Sequence, residues 1–532
     1  MESISMQVLS VWKCRMRVAN EATWNINNLR MEGIMSTNAL DFVGDAAKAF
    51  IEMPAALFID GRWSHDAAAH VLPIIDPASG QEIGQIQEAD GDAVAAAVVA
   101  ARRAFEGTWR RIGPAARERL LHSLADEIER DAETLADLLT ADMGAPRTAA
   151  RNFEVVKTIE VFRYFAGFPT KIGGRTIDIG PEMGGGEFFT YTTAEPVGVV
   201  GAIIPWNAPL MITAWKLAPA LAAGCTVVVK PSEDASLAVL RLAELVRRAG
   251  FPDGVLNVLS GRGETTGEAL LRNPGIDKFA FTGSTAVGRR VHEYAVERSV
   301  RVGLELGGKS PVIVLPGTNL ESAVSGIAMG AFANAGQICV SGSRVFVHRS
   351  LEDELQQRLA SFASSLKLGH GFDPQTQIGP IVSSRQLARV QSYAATGAKQ
   401  GRVLAGGSSP RREGFFFEPT VIGDLPTDSP LLHEEIFGPV ITLESYEDAE
   451  EVVARTNAMS HGLAAYVWGR DHDRIQSLAA RLRVGTVFVN TPGFPPAAVP
   501  TGGFRESGVG RDLGAEGLAG YLETKAVIAR IG

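Results

Sequence analysis

Residues 196–233 read PVGVVGAIIPWNAPLMITAWKLAPALAAGCTVVVKPSE, and this stretch decides the fold. Gly198 to Ile204 is an apolar run that Pro205 ends, so it reads as a buried strand. Met211 to Ala223 has helix-forming composition. Thr226 to Val229 is a second apolar strand, and Pro231, Ser232 and Glu233 then open a helix that ends at Gly250. Outward from here the alternation continues, with strands at Val255 to Leu259 and Lys278 to Phe281. Strands alternating with helices predict a doubly wound parallel sheet, an α/β fold.

Upstream, Ala56 to Trp63 reads as a strand and turn, and helices are predicted over 92–105, 115–143 and 153–165. Residues 173–193 are Gly-rich and then strand-like, as in a hairpin or arm. Downstream, a second alternating series has strands at 313–315, 344–348, 440–446, 464–468 and 486–490. Its helices are expected at 351–366 and 383–399. Thr491 to Gly510 is rich in Pro and Gly and reads as loop.

The 532 residues are 45% hydrophobic and 21% charged, which suits a soluble globular chain of two or three domains. The net charge of −9 has no basic stripe within it, which argues against nucleic acid as a partner. No apolar run is long enough to span a membrane. The three cysteines (Cys14, Cys225 and Cys339) are too few for a disulfide framework, so a reducing, cytoplasmic setting is expected. No metal-binding pattern is present, and no metal is expected. Met1 to Ile34 has mixed charge, no periodicity and no signal-peptide core. The biological start is expected near Met35, with the part upstream a translated extension, and residues 1–50 are expected to be an N-terminal extension poorly ordered in part. A mitochondrial-type presequence is the alternative, and Glu2, Glu21 and Glu32 count against it.

Three residues carry reactive chemistry. Cys339 in Gly336-Gln-Ile-Cys, taken alone, reads as a buried core cysteine, as Cys225 does. Glu305 before two glycines reads alone as a surface carboxylate, and Asn207 after Pro205-Trp206 as a turn former. As a set they offer more: a thiolate to attack a carbonyl, an amide N–H to hold the oxyanion, and a carboxylate to activate water. Spacing alone does not bring them together. Phe281-Thr-Gly-Ser-Thr-Ala-Val-Gly288 follows a strand and opens a helix, the context in which backbone amides face a pyrophosphate. Glu233 reads either as a first-turn carboxylate on its helix or as a ribose ligand that repels a 2′-phosphate.

The segments IIPWNAPL, KPSE, FTGSTAVG, ELGGKSP, GQIC, EEIFGPV and GGFRESGVGRDLG occur here in one order. That series resembles the aldehyde dehydrogenase superfamily from about Ala56 to the C-terminus. The resemblance implies NAD-dependent oxidation of an aldehyde to an acid on a Rossmann-like cofactor domain, an α/β catalytic domain and a small β oligomerisation arm. It places the cofactor domain at 51–172 and 197–307, the catalytic domain at 308–506, and the arm and C-terminal segment at 173–196 and 507–532. Cys339 resembles the nucleophile, Glu305 the general base, and Asn207 with the Cys339 N–H the oxyanion hole. Lys230 and Glu233 match the adenosine-ribose contacts, Gly283 and Ser284 those to the pyrophosphate, and Glu435 and Phe437 those to the nicotinamide ribose and ring. Trp206 lies beside the cleft. Ile204, Pro205, Ser232, Gly263, Gly267, Phe281, Thr282, Val287 and Leu306 complete the implied cofactor lining. NAD is expected ahead of NADP, and a homodimer or homotetramer is implied. Asp512 stands where the family often has Glu, which puts any water-ordering role there in doubt. The rival readings are a CoA-acylating or phosphorylating relative and a catalytically silent binding protein. Few charges near Ile212, Trp215 and Phe494 favour an apolar or neutral aldehyde.

Overall fold

The computed structural model describes residues 38–180 and 186–531. The expected start at Met35 and most of the expected N-terminal extension lie outside the described residues. Asp45–Ile51, assigned to that extension, is helical and buries Ala47 and Ile51.

Two sheets organise the fold. The first contains β1 (Leu57–Ile59), β2 (Arg62–Ser64), β3 (Val199–Ile203), β4 (Thr226–Lys230), β5 (Leu256–Val258), β6 (Lys278–Thr282) and β7 (Arg301–Glu305). Its order is β2-β1-β5-β4-β3-β6-β7, with Gly508–Val509 added antiparallel at the β7 edge. Strands β3 to β7 are mutually parallel. Helices α1 (Pro209–Ala223), α2 (Leu237–Arg248) and α3 (Thr285–Arg298) follow β3, β4 and β6. From β3 the chain steps outward to β4 and β5, then crosses back to β6 and β7. The order therefore reverses between β3 and β6, and in such sheets ligands bind beyond the carboxyl ends of the strands at that point. Ile204-Pro205-Trp206 and Thr282-Gly283-Ser284 lie there.

The second sheet contains β8 (Pro311–Val314), β9 (Arg344–His348), β10 (Arg402–Ala405), β11 (Thr420–Gly423), β12 (Val440–Tyr446), β13 (Ala464–Trp468) and β14 (Thr486–Val489). Its order is β10-β11-β12-β9-β8-β13-β14, parallel except for β10. The central strands of both sheets are apolar and buried on both faces, as parallel strands between helices must be.

Within the predicted segment 173–193, Thr176 bridges Tyr191 antiparallel, with Ile177 N–H donating to the Thr190 carbonyl and Thr192 N–H to the Arg175 carbonyl, each at 2.9 Å. Phe188–Pro196 also pairs antiparallel with Leu522–Arg530, from Arg530↔Phe188 to Leu522↔Pro196. The single helix expected over 115–143 is two, Pro114–Arg130 and Ala132–Met143, broken at Asp131. The hairpin Val71–Ile75 with Glu82–Gln87 has no counterpart in the sequence reading. Gly508–Val509, expected with the arm, belongs to the edge of the first sheet. Among the described residues no helix is long and apolar enough to cross a membrane.

Candidate active site

Four loops meet at the carboxyl ends of β3 and β7. Asn207, which follows β3, is buried and donates from Nδ2 to the Gln337 carbonyl at 2.9 Å. Gln337 lies two residues before Cys339. Asn334 returns the link, its Nδ2 donating to the Asn207 carbonyl at 2.8 Å. The loop is held again where Gln337 Nε2 donates to the Asn334 carbonyl at 3.0 Å and its Oε1 accepts from Val382 N–H at 3.0 Å.

Glu305 ends β7, and the chain continues into Leu306-Gly307-Gly308. A Cβ at Gly308 would lie 2.8 Å from the Cys339 carbonyl, and one at Gly307 would lie 2.3 Å from the Glu435 carboxylate. These two glycines let three loops approach closely. Gly308 N–H then donates to Glu435 Oε1 at 2.9 Å. Cys339, Glu305 and Asn207, 132 residues apart at the extremes, thus lie in one constellation (339 − 207).

The approach to Cys339 is strained. Asn334, Ala335 and Gly336 all have positive φ, at 49°, 53° and 72°. An L-residue in this region costs roughly 1–2 kcal/mol, and the Asn207 and Gln337 hydrogen bonds hold it there. Phe437 also has positive φ, 60°, held by Gln386 Nε2 donating to its carbonyl at 2.8 Å. Its ring meets Trp206 edge-on, with centroids 5.2 Å apart.

Burial dominates the electrostatics. The Cys339 thiol, half-buried, is pushed up to about 12 by desolvation, with Glu435 and Glu305 adding repulsion. Glu305 is 8% exposed. Burial raises its carboxyl well above the usual range and Asp512 adds to that, while Lys216 and Arg511 oppose it. Asp512 and Lys216 form a buried ion pair beside it. The Glu435 carboxyl is raised to about 7 by burial, against Gly308 N–H, Arg389 and Lys309. Strongly raised groups of this kind cluster at functional sites.

The expected cofactor residues fall along the switch point. Lys230 is buried at the end of β4, with Nζ donating to the Pro231 carbonyl at 2.9 Å and lying 3.5 Å from Glu233 Oε2. Ser232 and Glu233 are half-buried. Ser284 caps α3 and accepts from Val287 N–H at 3.4 Å, with both residues exposed. Gly263 is exposed with open space around it, and Gly267 is buried beneath Lys230. Ile204, Pro205, Trp206, Thr282 and Gly283 line the two strand ends. Phe281 and Leu306 behave differently. Phe281 is 4% exposed, and its ring lies under Gly283. Leu306 is buried against Gly288 of α3. Their side chains shape the loop from inside.

Four residues that the sequence reading passed over take part. Asn334 and Gln337 fix the Cys339 loop. Phe153 meets Phe494 edge-on at 4.9 Å, and Phe494 lies 5.8 Å from Trp215, giving an aromatic wall. Glu154, beside Phe153, is buried against the start of α1. Asn334 and Gln337 carried a signal, a polar side chain on each side of Ala335-Gly336, whereas Phe153 and Glu154 carried none.

Residues 63–527 match the Aldehyde dehydrogenase family. DhaS of Bacillus subtilis (strain 168) is 44% identical over 482 residues, 90% of this chain and 96% of that protein. Retinal dehydrogenase 2 of Homo sapiens is 41% identical over 479 residues, 89% of this chain and 92% of that protein. The NAD+ complex of an aldehyde dehydrogenase from Bacillus cereus superposes with a TM-score of 0.90 at 41% identity, covering 92% of this chain and 99% of that one.

Proposed function

Because the chain belongs to the aldehyde dehydrogenase family, whose members oxidise aldehydes, we propose that it converts an apolar aldehyde to a carboxylic acid with NAD through a thioester on Cys339. The observation that carries this reading is the interlock of the Asn207, Glu305, Cys339 and Glu435 loops, which sets a thiol, an amide donor and a buried carboxylate side by side.

The cleft fits NAD by the chemistry of its donors. The first turn of α3 offers exposed backbone amides to a pyrophosphate, Lys230 and Glu233 offer a donor and an acceptor to ribose hydroxyls, and Glu435 offers a carboxylate to the second ribose. A carboxylate at 233 repels a 2′-phosphate, which favours NAD over NADP. When bound, NAD supplies the hydride acceptor and a positive ring that favours the thiolate.

The thiol of Cys339 releases its proton to solvent and its sulfur bonds to the aldehyde carbon, while the carbonyl electron pair moves onto oxygen. Asn207 spends one amide hydrogen on Gln337 and keeps the other for this oxyanion, with the Cys339 N–H as second donor. Loss of hydride from the same carbon leaves the thioester. Glu305 then takes a proton from water as the water oxygen bonds to the acyl carbon. The C–S bond breaks, and the acid leaves with Cys339 restored. A carboxyl raised by burial suits this base, because proton transfer works best with a base poised near the operating pH. A buried carboxylate beside the thiol favours water over CoA as the acyl acceptor.

Phe153, Trp215 and Phe494 wall the substrate side with apolar surface, which favours an apolar aldehyde. The division into a cofactor domain (51–172 and 197–307), a catalytic domain (308–506) and an arm follows the two sheets. The arm carries exposed Phe189 and Ile528, an apolar edge suited to pairing two or four copies. A cytoplasmic setting fits a free catalytic thiol. Incubation with a medium-chain aliphatic aldehyde and NAD tests the proposal: NADH forms without CoA, and Cys339→Ser abolishes it while NAD binding survives. CoA-dependent turnover, or activity in Cys339→Ser, overturns it.

A further inference from the structure

Helix α1 starts two residues after Asn207, and its own sequence leaves its N-terminus uncapped. The N-cap residue is Ala208, which has no side-chain acceptor. Helices begin with amides that lack partners inside the helix, and a buried start needs an acceptor from elsewhere. Glu154 supplies it from the turn Ala150–Val155. Its Oε1 accepts from Leu210 N–H at 3.0 Å and from Met211 N–H at 3.4 Å. Glu154 is 5% exposed and, among the described residues, forms no ion pair with Lys or Arg. Burial raises the Glu154 carboxyl to about 7, and the two amides at the positive end of the helix dipole oppose that rise.

The titratable neighbour of Glu154 is Asp142, from Ala132–Met143, whose carboxyl burial pushes up to about 8, with Glu154 adding to the rise. It caps a different helix, its Oδ2 accepting from Leu237 N–H at the start of α2 at 2.8 Å. Two buried carboxyl groups thus hold the starts of two helices: Glu154 the one that follows Asn207, and Asp142 the one that follows Lys230 and Glu233.

We propose that Glu154 is a positioning residue for Asn207: by capping α1 from outside, it fixes the first turn of the helix and with it the amide that receives the oxyanion. This rests on Asn207 being the oxyanion donor. Asn207 already has two anchors toward Cys339, its carbonyl on Asn334 and its side chain on Gln337. The third is the helix it leads into. Without Glu154 Oε1 two buried amides lose their acceptor, the first turn loosens, and the amide drifts. A displacement of about 1 Å in a catalytic group lowers rates on the order of 10²-fold.

The test is the rate of the first NADH burst in the full-length enzyme with a medium-chain aldehyde, alongside the NAD dissociation constant. Glu154→Leu removes the acceptor and Glu154→Asp withdraws it by one methylene while keeping the charge. Each is expected to slow the burst roughly 10–100-fold with NAD affinity unchanged. Glu154→Gln keeps a carbonyl oxygen at full reach and restores the burst to within about threefold of wild type. If Glu154→Leu does not fold, Glu154→Asp against Glu154→Gln reads out the same contrast. In an Asn207→Ala background, Glu154→Asp adds no further loss, because residues acting through one group are non-additive. A fast Glu154→Asp, a slow Glu154→Gln or an additive double variant overturns the proposal. An Asn207→Ala enzyme with a normal burst overturns instead the reading of Asn207 on which it rests.

Discussion

Removing the Asn207 side chain separates two quantities that the structure makes unequal. In Asn207→Ala the bond from Nδ2 to the Gln337 carbonyl, 2.9 Å, is lost. One such bond contributes about 1 kcal/mol to stability. The carbonyl is not orphaned, since Asn334 Nδ2 also approaches it at 3.4 Å, so the loss of stability stays at or below about 1 kcal/mol. The catalytic loss is larger. A missing oxyanion donor slows reaction about 10²–10³-fold, roughly 2.7–4 kcal/mol. The assay is a rapid-mixing measurement of the first NADH turnover at saturating NAD and aldehyde, with calorimetry on the same sample. The expected result is a burst slowed by that factor in a protein whose melting temperature falls by only a few degrees. A burst within about threefold of wild type would leave Asn207 as a turn residue only, and a burst lost together with the melting transition would make its effect one of folding.

Replacing Asp512 by Asn removes a negative charge that raises the Glu305 carboxyl and leaves Lys216, which lowers it. Loss of that charge favours the Glu305 carboxylate, with Lys216 acting in the same direction, so the acid limb of the deacylation rate moves to lower pH. A limb that stays put or moves up contradicts this assignment. The same variant leaves Lys216 buried without its partner, a loss of about 3–5 kcal/mol visible as a lower melting temperature. Catalytic efficiency with NAD exceeds that with NADP, and Glu233→Gln narrows the gap, whereas equal efficiencies in wild type refute the role of Glu233. Light scattering at micromolar concentration gives a dimer or tetramer, and Ile528→Lys shifts it toward monomer; a wild-type monomer counts against the arm.

Much of the fold was legible because parallel strands buried on both faces read as continuous apolar runs: GVVGAII, TVVV and KFAF each lie within one to two residues of a strand. Arg301–Glu305 was not, since only Leu304 and Glu305 are buried and the rest is mixed. The hairpin at 71–87 was missed because its short alternation is interrupted by Pro73 in one strand and by Gly84, opposite Ile74, in the other. Of the site, residue types and order were readable, but their meeting was not. It depends on Gly307, Gly308 and Gly336 permitting close approach, and on three successive left-handed residues, which composition does not reveal. Phe281 stands inside the phosphate-binding motif, and its ring packs under the loop at Gly283, which its place in the motif does not reveal. Glu154 had no local pattern, because its partners lie 56 and 57 residues away.

The central claim, a thioester on Cys339 released by Glu305, is tested most directly by Glu305→Gln with NAD and aldehyde, followed by intact mass spectrometry. The amide keeps the shape but takes no proton from water. Attack by Cys339 and loss of hydride proceed, so the account predicts a burst of about one NADH per active site, very slow turnover afterwards, and an added acyl mass on Cys339 removable by hydroxylamine. Turnover at the wild-type rate with no acyl mass would show that Glu305 is not the deacylation base. Absence of any burst would show that the carboxylate is needed to ionise Cys339 instead.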